Sequence, residues 1–220
     1  MPIIALRPDK VRQRTSQCRK PSGWLGRVSL WSMNRRHSKL TDWGLARVAI
    51  AAGDTILDVG CGGGRTVAKL AAQAPAGRVY GIDYSPDSVM VSRRTNQDAI
   101  AAGRVSIDEA SVAALPFASD TFDLVTGVET HFWWGESLGG GMREVFRVLR
   151  PGGRLLFIAE FYNGGRHARY AERLGALTGM AALDPEQHRS LFTNAGFTDV
   201  RVVDDAPRGW ICALGTKPKE

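Results

Sequence analysis

Apolar positions along most of the chain recur at two spacings, one typical of buried strands and the other typical of amphipathic helices. Short apolar runs bounded by glycine, proline or aspartate predict seven strands, at residues 55–59, 78–82, 104–108, 122–128, 154–160, 198–203 and 210–215. Helical spacing predicts helices between them, at residues 65–73, 85–101, 138–149 and 185–195. Strands that alternate with helices through short loops predict a doubly wound α/β fold, whose mostly parallel sheet is covered on both faces.

The two ends of the chain differ from this alternating middle. The last two strands are joined only by residues 204–209, which are too few for a parallel crossover, so these strands should pair antiparallel. Residues 1–22 are basic and polar and predict a flexible arm, and residues 23–52 show helical spacing. We therefore predict three parts: the arm, an N-terminal helical segment and a domain at residues 53–220.

Length and composition fit one globular domain with a full hydrophobic core. The chain has 220 residues, of which 44% are hydrophobic and 23% are charged. No stretch approaches the roughly 20 apolar residues of a membrane span, and the N-terminus lacks the pattern of a secretory signal. The three cysteines, Cys18, Cys61 and Cys212, have neither a disulfide framework nor zinc-site spacing. These features predict a cytoplasmic protein.

The net charge of +7 is concentrated near the N-terminus. Residues 1–47 hold 11 basic and 2 acidic residues, whereas the remainder holds 18 basic and 20 acidic ones. A basic arm can bind nucleic acid, an anionic lipid surface or an acidic substrate. Because the arm lacks regularly interleaved aromatic residues, a nucleic-acid partner is disfavoured.

A glycine turn after the first predicted strand is the most informative motif of the chain. The strand reaches Asp58, and Gly60, Gly62 and Gly64 follow at alternate positions before the next helix begins. Glycines accept left-handed backbone conformations and let a ligand approach the main chain, where the free N–H groups of a helix N-terminus attract anions. The turn therefore predicts a nucleotide-like cofactor, and by itself it does not exclude the dinucleotide of a dehydrogenase.

A second candidate cofactor residue, Asp83, stands at the tip of the next predicted strand. A carboxylate at this place can accept hydrogen bonds from both hydroxyls of a ribose. Several classes of nucleotide-binding enzyme share this feature, so Asp83 leaves the identity of the cofactor open.

Five segments in a fixed order narrow the choice of cofactor. LDVGCGGG and GIDYSP are followed by LPF at residues 115–117, FDLV at residues 122–125 and RVLRPGG at residues 147–153. Together they resemble the class I S-adenosylmethionine-dependent methyltransferases, in the small-molecule branch, over about residues 50–215. The resemblance implies a Rossmann-like seven-stranded sheet in the order 3-2-1-4-5-7-6, with strand 7 antiparallel and N-terminal lid helices. It also implies S-adenosylmethionine as cofactor and S-adenosylhomocysteine as product.

The resemblance assigns cofactor contacts to the loops that follow the first four strands. The glycine turn would carry the methionine part above Asp58, Asp83 would hold the ribose, and Tyr84 would lie against the adenine. Ser111 stands where many relatives have an aspartate, which implies a weaker adenine contact, with the Val112 N–H beside it. The implied cofactor-binding set is Asp58, Gly60, Gly62, Gly64, Asp83, Tyr84, Ser111, Val112, Val128 and Glu129.

The loop after the fourth strand would face the transferred methyl group. Aromatic side chains there suit a sulfonium, because a cation over aromatic faces is stabilised by about 0.5–2 kcal/mol. His131 is the first candidate for a base that removes a proton from an acceptor O–H or N–H, and His37 is the second. The N-terminal segment and the loop after the fifth strand would complete the acceptor pocket. Its predicted residues are Trp31, Met33, Phe132, Trp133, Trp134 and Tyr162.

These residues predict in-line methyl transfer to a small-molecule O, N, S or C nucleophile, with positioning and exclusion of water as the protein's main contributions. A quinone- or isoprenoid-type C-methyltransferase at a membrane surface is one alternative, and a non-catalytic cofactor-binding regulatory module is another. The order of the five segments argues against a dehydrogenase. No acid-rich cluster in the sequence indicates a metal site, and a homodimer stays open as the oligomeric state.

Overall fold

The computed structural model describes residue 23 and residues 37–219 of the chain. In that part the elements are, in order, α1 (Ser38–Leu45), β1 (Thr55–Val59), α2 (Arg65–Gln73), β2 (Arg78–Asp83), α3 (Pro86–Thr95), α4 (Gln97–Ala101), β3 (Val105–Glu109), β4 (Phe122–Val128), α5 (Leu138–Val148), β5 (Leu149–Ala159), α6 (Ala168–Thr178), α7 (Pro185–Asn194), β6 (Thr198–Asp205) and β7 (Trp210–Thr216). Two short 3₁₀ turns, His131–Trp133 and Gly135–Ser137, lie between β4 and α5.

These strands form one sheet in the order β3-β2-β1-β4-β5-β7-β6. β1 pairs in parallel with β2 and β4, β2 pairs in parallel with β3, and β4 pairs in parallel with β5. β7 is antiparallel to both β5 and β6. Its pairing with β6 must be antiparallel, because residues 206–209 leave no room for a crossover helix. The predicted fold class, strand order and antiparallel strand 7 are therefore confirmed.

The parallel register brings the loops of the predicted site to one edge of the sheet. Val59 at the end of β1 lies opposite Ile82 near the end of β2, and Val128 at the end of β4 lies opposite Ile158 of β5. In open α/β sheets, ligands bind at this carboxyl edge, beside the point where the strand order reverses. The reversal lies between β1 and β4, which places the glycine turn beside it.

Helices cover both faces of the sheet. Ile56 and Leu57 are neighbours in β1 and point to opposite faces, yet both are fully buried. Ile56 packs with apolar side chains of α1, α2 and α3, and Leu57 packs with those of α5 and α7. A third apolar cluster, which includes Phe132 and Tyr162, packs against α6.

The predicted N-terminal parts lie largely outside the described residues. The arm at residues 1–22 lies there, as do Trp31 and Met33, so their roles stay predictions. The described end of the helical segment is α1, which packs on β5 and β7. Among the described helices, none is long and apolar enough to cross a membrane.

Residues 85–101 form two helices, α3 and α4, where the sequence predicted one. Ser85 caps α3, because its hydroxyl accepts a hydrogen bond from Ser88 N at 3.4 Å. The chain breaks at Asn96, whose Nδ2 donates to Gly64 O at 3.0 Å. The prediction of one helix was wrong because Asn96 is held by the glycine turn.

Helix α6 and the early start of β5 are further differences from the prediction. α6 covers residues 168–178, where the sequence predicted only the loop after the fifth strand. β5 begins at Leu149 rather than Arg154, with an irregular register opposite the start of β4. The presence of α6 matters for the site, because its C-terminal end borders the same cavity as the turns after β4.

The contact between α1 and β5 gives a test of how α1 is docked. A Cβ added at Gly44 would overlap with Ile158 Cδ1, and Ile158 is fully buried. We expect Gly44→Ala to lower the free energy of unfolding by about 1–3 kcal/mol, because overpacking displaces side chains or backbone in a filled core. Urea unfolding followed by circular dichroism measures this change.

Gly139→Ala is the matched control, because a Cβ there would meet only Arg143 Nη1, at 3.7 Å, on helix α5. Alanine favours a helix over glycine by up to about 1 kcal/mol, so this variant should be neutral or slightly stabilised. Equal stability of Gly44→Ala and the wild type would contradict the close packing of α1 on β5.

Candidate active site

The glycine turn joins β1 to α2 through three left-handed glycines. Gly60, Gly62 and Gly64 have φ angles of +72°, +51° and +80°, which other residues adopt only with strain. The N–H groups of Gly60 and Cys61 both donate to Ile82 O, at 2.8 and 2.9 Å. The turn is therefore folded back against the end of β2.

Internal packing is a second reason for glycine at two of these positions. A Cβ at Gly60 would overlap with the Thr130 side chain, and a Cβ at Gly64 would lie 2.8 Å from Ser92 Cα. The sequence suggested left-handed backbone conformations and room for a ligand as the reasons for these glycines. In the structure, the loop after β4 and helix α3 already fill the space beside the turn.

Asp83 joins the glycine turn to the start of α3. One carboxylate oxygen accepts from Gly62 N at 3.0 Å, and the other accepts from Ser85 N at 2.9 Å. Burial raises the pKa of Asp83, while its bonds from backbone N–H groups act in the opposite direction. The Ser88 hydroxyl and the Tyr84 N–H also lower the pKa of Asp83, so the donors around this carboxylate come from the glycine turn and from the start of α3.

Asp58 is a second buried carboxyl group at this edge. Its Oδ1 accepts from Thr126 Oγ1 at 2.7 Å, and the residue is 2% exposed. Burial raises the pKa of Asp58 to about 7, and the negative charge of Asp83 adds to this effect, whereas the Thr126 hydroxyl opposes it. A cationic group beside Asp58 would stabilise its ionised form. Thr126 was not predicted as a site residue, because its bond to Asp58 joins strands 68 residues apart.

The predicted adenine contacts lie after β2 and β3. Tyr84 directly follows β2 and is 40% exposed. Ser111 accepts from Ala113 N at 3.2 Å, so its hydroxyl already takes part in its own turn. Val112 lies near the Trp134 ring, since a Cβ on Gly141 of α5 would meet both of them. The loops after β3 and β4 therefore pack side by side on α5.

Two of the diagnostic sequence segments contact each other directly. Glu144 Oε2 accepts from Leu115 N at 2.8 Å. Arg147 donates to Leu115 O at 3.1 Å and to Phe117 O at 2.8 Å. Arg147 and Glu144 also form an ion pair at 2.7 Å. The RVLRPGG region thus holds the LPF segment and, through it, the loop after β3.

Glu129 directly follows β4 and ties this strand end to β5. Its N–H donates to Ile158 O at 2.9 Å, and its Oε1 accepts from Glu160 N. Its φ angle is +57°, a conformation that costs a non-glycine residue about 1–3 kcal/mol and occurs often at functional sites. The loops after β4 and β5 are therefore held together at the carboxyl edge.

His37 precedes α1 and reaches the same edge from the N-terminal segment. Its Nε2 lies 3.5 Å from Glu160 Oε1. His37, Glu129 and Glu160 each offer a ligand atom, and these atoms all lie within 4.8 Å of one another. The sequence did not indicate this group, because its members come from three distant segments. The absence of a metal site stays a prediction.

His131 lies in the first 3₁₀ turn after β4 and is 2% exposed. Its ring stacks on Phe157 with centroids 4.6 Å apart, and its Nε2 lies 3.0 Å from His188 Nε2 on α7. Burial lowers the pKa of His131 well below its usual range, and the charge of His188 acts in the same direction. His131 is therefore a neutral imidazole packed among aromatic side chains.

The aromatic residues predicted for the acceptor pocket separate into two pairs. Trp133 and Trp134 line a cavity of about 350 Å³ between the second 3₁₀ turn and the C-terminal end of α6. Phe132 and Tyr162 are buried in the cluster against α6, and Tyr162 Oη donates to Asp204 Oδ2 at 2.8 Å. Trp133 and Trp134 are thus placed to meet a small ligand, and the pocket role of Phe132 and Tyr162 stays a prediction.

Comparison with known proteins gives a consistent result. Residues 56–153 match the family described as "Methyltransferase domain". Methyltransferase GfsG of Streptomyces halstedii is 35% identical over 132 residues, which are 60% of this chain and 47% of that protein. Erythromycin 3''-O-methyltransferase of Saccharopolyspora erythraea is 31% identical over 165 residues, 70% of this chain and 53% of that protein.

A third relative is the ubiquinone/menaquinone biosynthesis C-methyltransferase UbiE of Geotalea daltonii. It is 27% identical over 154 residues, 68% of this chain and 63% of that protein. The chain spans about half the length of the curated relatives it matches.

The fold is similar to that of a solved methyltransferase. Phosphoethanolamine N-methyltransferase 2 of Haemonchus contortus, in complex with phosphomonomethylethanolamine and S-adenosylhomocysteine, superposes with a TM-score of 0.77 at 15% identity. The superposition covers 98% of this chain and 61% of that one. The fold, the motifs and the matched domain confirm the resemblance of this chain to the class I S-adenosylmethionine-dependent methyltransferases.

The raised pKa of Asp58 predicts how stability depends on pH. Its carboxyl group holds a proton up to about pH 7 in the folded chain, compared with an ordinary pKa of 3.8. Its contribution to folding stability is therefore present at low pH and is lost as the pH rises towards 7. Asp58→Asn cannot ionise, so its stability relative to the wild type should rise between about pH 5 and pH 7, at 1.36 kcal/mol for each pH unit.

Urea unfolding of both proteins at about pH 5 and about pH 8 measures this difference. Asp98→Asn, at an exposed position on α4, is the control and should show no such trend. A stability difference between Asp58→Asn and the wild type that is the same at both pH values would contradict the raised pKa.

Proposed function

We propose that this chain binds S-adenosylmethionine at the carboxyl edge of the sheet and transfers its methyl group to a small-molecule acceptor. The observation that carries the proposal is the Asp83 carboxylate, which joins the glycine turn to the loop after β2 beside the reversal of strand order. The matched methyltransferase domain supports the same function.

The residues at this edge fit the cofactor. Asp83 presents its carboxylate to ribose hydroxyls at the end of β2, and Tyr84 follows it with a partly exposed ring that can lie against an adenine. The buried carboxyl of Asp58 suits the charged amino acid end of the cofactor. Val128 and Glu129, at the end of β4, would close the floor of the site on that side.

The cofactor supplies an activated methyl group, so the protein's task is to orient the acceptor and to exclude water. Trp133 and Trp134 suit this task, because their rings border a cavity and can face a cation. Trp134 Nε1 donates to Thr130 Oγ1 at 3.3 Å, and Thr130 packs on Gly60. Thr130 therefore links the Trp134 ring to the glycine turn.

A base is needed only for acceptors that must lose a proton. A thiolate, a carbanion-like carbon or a neutral amine can attack without one, whereas an alcohol or a phenol would require it. His131 and His37 are the two candidates, from the loop after β4 and from the residue before α1. Glu160 lies beside His37 and would orient its ring.

A C-methyltransferase that acts on a quinone or isoprenoid at a membrane surface is the second candidate. It is favoured by the similarity to the UbiE protein and by the excess of basic residues in the first 47 positions. A regulatory module that binds the cofactor without transferring its methyl group is an outcome that the experiments also distinguish.

Asp83→Ala should abolish binding of S-adenosylhomocysteine, because it removes the ribose acceptor and both hydrogen bonds that join the loops. Asp83→Asn keeps the shape of the side chain and should weaken binding about tenfold or more, as expected for loss of a charge-assisted hydrogen bond. Isothermal titration calorimetry measures both effects, with Asp98→Ala as the control. Tight binding of S-adenosylhomocysteine by Asp83→Ala would contradict the ribose assignment.

Methyl transfer is tested with methyl-labelled S-adenosylmethionine and defined acceptors: a phenol, a sugar, an amine, a thiol and demethylmenaquinone in vesicles. We expect label to appear on one of the small polar acceptors, because the cavity beside Trp133 and Trp134 has the size of a small molecule. Label only on a carbon of the quinone would favour the second candidate. Cofactor binding with no transfer to any acceptor would contradict an enzymatic role.

A further inference from the structure

Two buried histidines connect the loop after β4 to helix α7, and the proposed function uses only one of them. His131 is 2% exposed and His188 is 1% exposed. Their Nε2 atoms lie 3.0 Å apart, which is a hydrogen-bond distance. On the other side of its ring, His188 Nδ1 lies 2.8 Å from Asp184 O at the start of α7.

These contacts determine where the ring protons are. Asp184 O is a carbonyl oxygen and can only accept, so His188 Nδ1 carries the proton of that bond. Burial lowers the pKa of both His131 and His188, which keeps the two rings neutral. His188 Nε2 then carries no proton and accepts a hydrogen bond from His131 Nε2–H. Because the His131 ring is neutral, its Nδ1 carries no proton.

The remaining nitrogen, His131 Nδ1, is buried and has no hydrogen-bond partner among the described residues. Buried polar atoms nearly always have a partner, so a bare acceptor of this kind indicates a place for a donor from a ligand. Its position agrees, because His131 lies three residues past β4 at the carboxyl edge. Trp133 ends the same 3₁₀ turn and Trp134 follows it, and both line the cavity.

We propose that His188 is a positioning residue that fixes the tautomer of His131, so that His131 Nδ1 takes the proton of an O–H or N–H acceptor during methyl transfer. The inference rests on the proposed function and narrows it to a class of acceptor. That class is a neutral hydroxyl or amine, since a thiolate or a carbon nucleophile would leave Nδ1 unused.

The atoms and charges of this step balance. The acceptor oxygen or nitrogen forms a bond to the methyl carbon while the carbon–sulfur bond breaks and leaves its electron pair on sulfur. The acceptor proton moves to His131 Nδ1 and later passes to solvent. One positive charge on sulfur is thus replaced by one on the imidazole, so the site gains no net charge while it excludes water.

Two substitutions of His188 separate positioning from simple packing. In His188→Gln, the amide oxygen can take the place of Nε2 and accept the proton of His131 Nε2. In His188→Leu, an apolar side chain fills the space without offering an acceptor. A packing role would be served by leucine, whereas a positioning role requires the acceptor atom.

Nitrogen NMR of histidine-labelled protein reads the tautomers directly, because bare and protonated ring nitrogens resonate in separate regions. The chain has four histidines, so single substitutions assign the signals. With S-adenosylhomocysteine bound, we expect a bare Nδ1 and a protonated Nε2 in His131, and the reverse in His188. His188→Gln should keep the His131 tautomer, and His188→Leu should lose it.

Steady-state kinetics test whether the His131 tautomer controls the rate of methyl transfer. They use the O–H or N–H acceptor found by methyl labelling. His131→Ala should lower kcat by about 10²–10⁴, the usual contribution of a general base. His188→Leu should lower kcat by about tenfold or more with little change in KM, because the wrong tautomer presents a proton where a lone pair is needed. His188→Gln should stay within about threefold of the wild type, and all three variants should bind S-adenosylhomocysteine normally.

A proton on His131 Nδ1 in the wild type would overturn the inference, as would an unchanged tautomer and kcat in His188→Leu. Loss of cofactor binding in both His188→Leu and His188→Gln would assign His188 to packing and would also overturn it. A wild-type protein that binds no S-adenosylhomocysteine would instead overturn the proposed function, and the histidine tautomers would still be read in the same sample.

Discussion

The site depends on one buried carboxylate that accepts hydrogen bonds from backbone N–H groups of two loops at once. Asp83 accepts from Gly62 N in the turn after β1 and from Ser85 N before α3. Parallel pairing brings these loops to the same edge but leaves N–H groups there that no strand can satisfy. A hydrogen bond to a charged group contributes roughly 1.5–3 kcal/mol, so Asp83 holds the turn in place before any ligand arrives.

The remaining parts of the site build on this turn. Thr130 packs on Gly60, Trp134 donates to Thr130, and Asn96 donates to Gly64 O. The proposed cofactor end therefore consists of strand ends and backbone groups, whereas the proposed acceptor end consists of side chains from loops. This division explains why the fold and the motifs indicate one cofactor but only a class of acceptor.

Local signals in the sequence predicted most of the fold, because each strand and most helices carry their own apolar spacing and turn residues. The meeting of the candidate cofactor residues at one edge was also predictable, since Asp58 and Asp83 stand at or near strand ends and the glycines follow β1. Contacts between distant segments could not be predicted. Asn96 breaks a helix to bind the glycine turn, and Thr126 bonds to Asp58 across neighbouring strands. The two histidines that meet through Nε2 atoms are 57 residues apart, and no local pattern relates them.

The most direct test of the central claim is a crystal structure of the full chain with S-adenosylhomocysteine. We expect the ribose hydroxyls of S-adenosylhomocysteine to donate to the Asp83 carboxylate and its amino acid end to lie near Asp58. The open side of its sulfur should face the loop that carries His131. We also expect the glycine turn to keep its hydrogen bonds to Ile82 O and to Asp83. A ligand bound elsewhere, or a turn that rearranges to admit it, would contradict a site held in advance by Asp83.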